Sequence, residues 1–359
     1  MTAAPQLRQP RALVQVNGTT VPALMSLEID ETAFSQPSTF RVELAVQALP
    51  PGNDLAWWMR TMDEIDVEIF IGFPSDPTDY DASDLTSMFY GRADDVEVDW
   101  AGQTMSVSGR DLSAKLADVK SAQKYVNQKA SDVATMLAAQ YGLTPKVTPT
   151  KTPIGKFYSI DHVDQHDDRT QWDLLSWLAR DEQFVVFVQA KELHFQPKPS
   201  ASQTPQVFHW TPPSGGAGFN EGNFIRLSSR RELTVAKGIK VEVKSWNSKK
   251  NNGYSKTAQN GGQNPQTYSY VIAGLEPDDC QARAKQLLAE LSQHEKTLTI
   301  EGPADNSLTV ADVIQLSGTG TALDQIYFPS QIKRTFDAEG GYRWEIEAKL
   351  IPPADEAQS

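Results

Sequence analysis

A chain of 359 residues with a 39% hydrophobic share, 8 Trp and 14 Phe can bury the cores of roughly two or three domains and is not a disordered polypeptide. No apolar run of about 18 residues occurs, so no membrane span is expected, and Met1 to Pro10 lack the apolar segment of a secretory signal. The single cysteine, Cys280, excludes an intrachain disulfide and fits folding in a reducing cytoplasm. The net charge of −13 is uneven. Residues 1–115 carry 18 acidic against 7 basic side chains, residues 116–202 carry 10 against 10, and residues 203–359 carry 18 against 16. The first segment therefore repels polyanions and gains nothing from counterion release, which disfavours nucleic-acid binding there. Ordinary solubility charge on strand faces and loops explains the same numbers.

Residues 11–115 read as β. Arg11 to Thr19 is a strand entering an Asn17-Gly18 turn, a strong hairpin signal, and Phe40 to Val46 alternates apolar and polar. Leu55 to Met62 reads as a short helix carrying Trp57 and Trp58, and Phe73 to Ser87 as a polar loop. The middle then changes character. Ser131 is a candidate N-cap for a helix through Val133, Leu137 and Tyr141 that Gly142 stops, and Thr170 with Asp173 forms a capping-box variant. The second helix presents Trp172, Leu175 and Leu178, widened by Leu174 and Trp177. Phe184 to Val188 and Glu192 to Phe195 make a hairpin about a Gln189-Ala190-Lys191 turn, and a Pro/Ser/Gln run from Pro197 to Pro205 closes this small α/β segment.

From Val207 the chain reads as β again, with strands at Arg226-Leu227 and Gly238 to Val243. Asn247 to Thr267 is polar and lacks periodicity, which predicts a mobile loop, and Tyr268 to Ile272 resumes a strand. The clearest helix has Pro277 at its start, Asp278 and Asp279 in its first turn, and Leu287, Leu288 and Leu291 on one face, with Lys296 just beyond. Leu298 to Ile300 leads back to strands, and Pro352 to Ser359 reads as a frayed tail.

A strand–turn–strand signature occurs twice. Ile65 to Gly72 leads on to Val96 to Val107, and Ala311 to Gly318 leads on to Ile332 to Glu347. Asp66 aligns with Asp312, Gly72 with Gly318, Asp99 with Asp337 and Gly102 with Gly340. The pattern reads as a meander whose turns place Gly at positive φ. Two similar β domains per chain would let three subunits form a six-unit ring.

Chemistry is sparse. Gly215-Gly216-Ala217-Gly218 lacks the helix and Lys of a phosphate loop. His162 and His166, four apart among four carboxylates, are the best but weak metal candidates, against the plainer reading of a solvated turn before Thr170. Cys280 lies in a helix first turn, but Asp278 and Asp279 oppose a thiolate and no catalytic partner is evident. Arg226, Arg230, Arg231, Lys237, Lys240 and Lys244 could meet an acidic partner or form a solvated face. No cofactor is expected, and no carboxylate pair stands out for catalysis.

Three stretches carry a family resemblance. Tyr90-Gly91-Arg92 through Val107 to Leu112, Trp172 to Arg180 with Phe184, and Gly341 to Lys349 resemble, in order, the baseplate hub proteins of contractile-tailed phages, of the Mu-like and late-control D type. The resemblance implies a mainly β fold with an α/β insertion. Residues 1–115 would be a first tube-like antiparallel β-barrel, 116–202 the α/β domain, 203–351 a second tube-like barrel with one helix, and 352–359 a flexible tail. It also implies a homotrimer without enzymatic activity, located in the virion tail baseplate and assembled in the host cytoplasm. Its two barrels would alternate in a pseudo-sixfold ring between the hexameric tail tube protein and the trimeric central spike protein, with tape measure and other baseplate proteins as further partners. The acidic first domain would help line a channel through which DNA passes without specific binding. Because the chain ends soon after the second barrel, the spike would be a separate polypeptide. The interface residues on this reading are Asp66, Gly72, Asp99, Gly102, Asp312, Gly318, Asp337 and Gly340. Two alternatives remain: a tail-associated cell-wall hydrolase, and a glycan-binding tail-tip module using Trp57-Trp58 as a stacking platform.

Overall fold

The computed structural model describes residues 9–33, 36–120, 125, 128–151, 170–213, 221–247, 252–261 and 264–352. The fold is mainly β with an α/β insertion, in three sheets. The first half holds β1 (Arg11–Val16), β2 (Thr19–Val21), β3 (Leu24–Thr32), β4 (Thr39–Ala45), the short α1 (Leu55–Trp58), β5 (Asp66–Gly72), β6 (Thr86–Asp99) and β7 (Thr104–Asp111). Alternation makes β1 a half-buried strand, with Ala12, Val14 and Val16 inward. Asn17 and Gly18 both take positive φ, the type I′ geometry that suits a two-residue hairpin. Helix α1 is shorter than the sequence indicates: Asp54 caps it, and it stops at Trp58.

The insertion comprises α2 (Ala114–Ala117), α3 (Ala130–Gln140), β8 (Thr144–Val147), α4 (Gln171–Asp181), β9 (Phe184–Gln189) and β10 (Glu192–Pro197). Helix α3 starts one residue before the expected cap. Lys129 is the N-cap, its N–H donates to Asp132, and Ser131 is buried with its N–H donating to Thr150 Oγ1. Gly142 at φ +72° ends the helix as expected, because that left-handed residue lets the Leu143 N–H turn back to the Ala138 carbonyl at 2.8 Å. Thr170 and Asp173 form the reciprocal capping box of α4, which buries Trp172, Leu175 and Leu178 against α3 and the β8–β10–β9 sheet.

The last part holds β11 (Gln206–Thr211), β12 (Glu221–Gly222), β13 (Arg226–Arg231), α5 (Leu233–Ala236), β14 (Ile239–Asn247), β15 (Asn252–Asn260), β16 (Gln266–Val271), α6 (Pro277–Ser292), β17 (Lys296–Pro303), β18 (Ile314–Ser317), β19 (Ile326–Asp337) and β20 (Gly341–Leu350). Strand β15 corrects the expected mobile loop at 247–267. All nine of its residues pair with β14, yet Ala258 alone is buried, so the strand shows no apolar alternation. Its backbone hydrogen bonds, not its side chains, make it a strand. Helix α6 packs on this β15–β14–β16 sheet around a core of its own, including Val241, Val243, Ala284 and Leu288. Cys280 belongs to that core. Its thiol is buried, donates to the Val243 carbonyl at 3.1 Å, and is pushed up in pKa by burial, so the dipole argument for a reactive cysteine loses to desolvation.

Fourteen described strands from both halves form one sheet over one large core. In the first half the ladder runs β1-β5-β6-β7-β4-β3, and in the second β11-β18-β19-β20-β17-β13. The duplicated segments occupy equivalent places: β5, β6 and β7 match β18, β19 and β20. One sense differs, since β1 runs antiparallel to β5 whereas β11 runs parallel to β18. Among the described residues, no helix is long and apolar enough to cross a membrane.

Candidate assembly surfaces

The halves are joined through backbone hydrogen bonding. Seven residues of β3, Ser26 to Thr32, pair antiparallel with Gln331 to Asp337 of β19. Alternation gives this joint two faces. On one, Arg334 is 0% exposed, forms an ion pair with Glu31, and donates to the Leu308 carbonyl, among Ile29, Leu27 and Ile332. Burial disfavours the charged guanidinium, so an opposite charge and a carbonyl are what allow it to sit there. On the other face, Lys333 reaches Glu28 at 2.9 Å, and that contact raises the Lys333 pKa. Gln331 donates to Asp30 at 2.8 Å. Strand β3 therefore supplies acids, and β19 bases. Asn306 adds a second link: it donates to the Ile71 carbonyl at 2.8 Å and accepts from the Tyr342 hydroxyl at 3.0 Å.

The aligned Asp and Gly residues form equivalent turns. Asp99 accepts from the N–H groups of Ala101 and Gly102, both at 3.0 Å, and Asp337 accepts from those of Glu339 and Gly340. A Cβ on Gly102 would stand 2.4 Å from Asp99 Oδ2, and one on Gly340 would stand 2.8 Å from Asp337 Oδ2. The expectation of positive φ at these glycines is corrected by one position. The left-handed residues are Gln103 at φ +55° and Gly341 at φ +68°, because the Asp-capped turn curls first and reverses hand only at its exit. The Asp66–Asp312 and Gly72–Gly318 pairs diverge. Asp66 opens β5 and accepts from Tyr90 and Arg92, whereas Asp312 lies in the turn before β18 and accepts from Thr309. Gly318 takes φ +89°, with the Trp210 carbonyl 2.0 Å from where a Cβ would be, whereas Gly72 is not left-handed and pairs with Arg11.

Two polar clusters sit where the first half leads into the insertion. Asp111, fully buried, accepts from the N–H groups of Ser38 and Ser113, both at 2.8 Å, and burial raises its pKa to about 6. Arg110 forks onto Asp94 at 2.7 Å and Asp118 at 3.0 Å. Sequence reasoning missed Asp111 and Arg334, since a lone charged residue inside an alternating strand carries no signal of its burial.

The remaining candidates separate. Trp58 is 4% exposed and Trp57 meets it edge-on at 5.1 Å against the main core, so the pair does not form an open stacking platform. His162 and His166 lie outside the described residues, and among the described residues no group of three or more potential ligands could hold a metal. Arg226, Arg230 and Arg231 all lie on β13 and are exposed, whereas Lys237, Lys240 and Lys244 lie beyond it, the latter two on β14. A cleft of about 320 Å³ between α4 and α6 is lined by Arg180, Lys198, Glu290 and His294, with Lys198 and Glu290 paired at 3.3 Å.

No family model and no curated protein matches this chain. Solved structures do. A tail protein from Neisseria meningitidis MC58 aligns with a TM-score of 0.71 at 15% identity, over 97% of this chain and 98% of that one. The 43 kDa tail protein of prophage MuSo2 from Shewanella oneidensis aligns with a TM-score of 0.66 at 13% identity, over 97% and 99%. The E. coli c3393 protein, a component of the type VI secretion system, aligns with a TM-score of 0.54 at 10% identity, over 96% and 78%. The chain has the fold of these phage-tail and secretion-system proteins along nearly its whole length.

Proposed function

We propose that this protein is a structural tail hub: a homotrimer whose two β halves alternate in a pseudo-sixfold ring, joining a hexameric tail tube to a trimeric central spike. The observation that carries this reading is the repeated ladder, β1-β5-β6-β7-β4-β3 and β11-β18-β19-β20-β17-β13, in a chain with a tail-protein fold. Two equivalent sheets per subunit let threefold and sixfold rings share one axis. The tape measure and other baseplate proteins are further partners, the virion tail is its location, and assembly takes place in the host cytoplasm. The first half, with its acidic excess, helps line a channel that DNA crosses without being held. The protein carries out no reaction of its own.

Light scattering on a size-exclusion column, alone and with a candidate spike protein, tests this. The expected mass is three times 39.7 kDa, or a 3:3 complex where the spike templates the ring. A monomer under both conditions overturns the reading, and loss of turbidity on purified peptidoglycan would replace it with the hydrolase.

A further inference from the structure

The repeated ladder leaves two strand edges open, and each has an occupied counterpart inside the same chain. Asp99 and Asp337 open equivalent turns, which makes Asp95–Asp99 of β6 the equivalent of Lys333–Asp337 of β19. In β19 that stretch pairs with β3. In β6 the pairing with β5 ends at Arg92, and beyond it Asp95 to Asp99 pair, among the described residues, on one side only, with β7. The second open edge is β13, which among the described residues pairs with β17 alone. It is the equivalent of β3: Glu28 pairs with Arg41 and Arg41 with Ser108, four residues past Thr104, whereas Arg226 pairs with Glu301 and Glu301 with Glu345, four residues past Gly341.

We propose that the Asp95–Asp99 edge of β6 receives β13 of a neighbouring copy of this chain, in the antiparallel register that β3 takes on β19. This rests on the trimer reading above and specifies its subunit contact. Within the chain Glu28 lies opposite Thr335, so between chains Arg226 lies opposite Glu97, Leu227 opposite Val96 and Ile225 opposite Val98. Alternation sorts these into two faces. Val96, Val98, Leu227 and Ile225 meet on one, which accounts for an Ile225 left 65% exposed in the single chain. Asp95, Glu97 and Asp99 meet Arg226 and Arg230 on the other.

Charge supports the same partner. The β6 edge carries Asp94, Asp95, Glu97 and Asp99 without a base, and β13 carries Arg226, Arg230 and Arg231 without an acid. Arg226 and Arg230 touch Glu301 and Glu232 at 3.3 and 3.2 Å, and Glu97 touches Arg41 at 3.5 Å, surface pairs that exchange at little cost, whereas Arg231 touches the partly buried Glu295 at 3.3 Å. Asp94 is held by Arg110, and Asp99 by its turn. The signs are reversed relative to the joint inside the chain, where β3 brings Glu28, Asp30 and Glu31 to Lys333 and Arg334 of β19. Strand β3 is thus repelled by the β6 edge of another copy, and β13 by β19. Only alternation of first and second halves is left, and a head-to-tail contact of this kind closes a ring.

The test uses the full chain at high protein concentration, with Arg226→Glu/Arg230→Glu/Arg231→Glu, Asp95→Lys/Glu97→Lys, and both sets together. Each set alone is expected to raise the concentration for half-assembly at least tenfold, and the two together to restore it. Val98→Cys with Ile225→Cys in one chain, the buried Cys280 left in place, is expected to give covalent dimers and trimers on mild oxidation, and either cysteine alone none. A trimer that both charge sets leave unchanged, with no cross-link, overturns the strand joint and leaves the trimer reading standing. A wild type that stays monomeric both alone and with the spike protein, with no cross-link, overturns both. Cross-linked chains from a weakly associating wild type support the joint.

Discussion

Among the described residues Arg334 is the largest fully buried side chain, and it sits where the two halves meet. Glu31, on the opposite strand, is 12% exposed at its side chain, so neither charge has much water to fall back on. Arg334→Leu alone strands the carboxylate and is expected to cost about 3–5 kcal/mol, whereas Arg334→Leu with Glu31→Leu recovers most of that loss. Urea unfolding of the three proteins measures both effects. Asp111 behaves differently because its compensation is incomplete. Hydrogen bonds from Ser38 and Ser113 favour its ionised form, but burial outweighs them and pushes the pKa to about 6, above the ordinary carboxylate value of about 3.9. Between those two values the folded chain holds a proton that the unfolded chain has released. The contribution of Asp111 to stability therefore falls by about 2–3 kcal/mol as pH rises from about 4 to about 6, then levels off. Unfolding of the wild type and Asp111→Asn across that range isolates the slope, which the variant lacks.

The two Asp-capped turns show how an element is specified locally. Each aspartate satisfies two main-chain N–H groups, and the glycine three residues on leaves room for its carboxylate. Asp99→Ala and Asp337→Ala are each expected to cost about 1–2 kcal/mol, a few degrees of melting temperature by calorimetry. Gly102→Ala and Gly340→Ala act in the same direction through the clash. These turns were legible in the sequence because Asp, Gly and their spacing carry the chemistry. So were the cap at Thr170, the helix start at Pro277 and the hairpin at Asn17-Gly18. Strand β15 was not legible. It lies at an edge of its sheet, is held by pairing with β14, and needs apolar side chains on neither face except at Ala258.

At the level of the whole molecule, the halves share both a sheet and a core, with Ile29 and Phe40 in one cluster with Ile332 and Ile346. Strands β3 and β19 are therefore expected to open together: amide hydrogen exchange followed by mass spectrometry gives them one opening free energy, and Arg334→Leu lowers both by the same amount. Separate opening free energies for β3 and β19 would contradict a single cooperative unit. The sequence by itself determined the local features: alternation, caps, turn chemistry, the change to α/β in the middle, and the repeated signature. Each depends on residues a few positions apart. Which strand edges are covered, which charges are buried and how the halves join were decided only by the tertiary structure. Burial of Arg334 and the pairing of β3 with β19 unite residues about 300 positions apart through backbone groups that every residue possesses, and such groups leave no mark in the sequence.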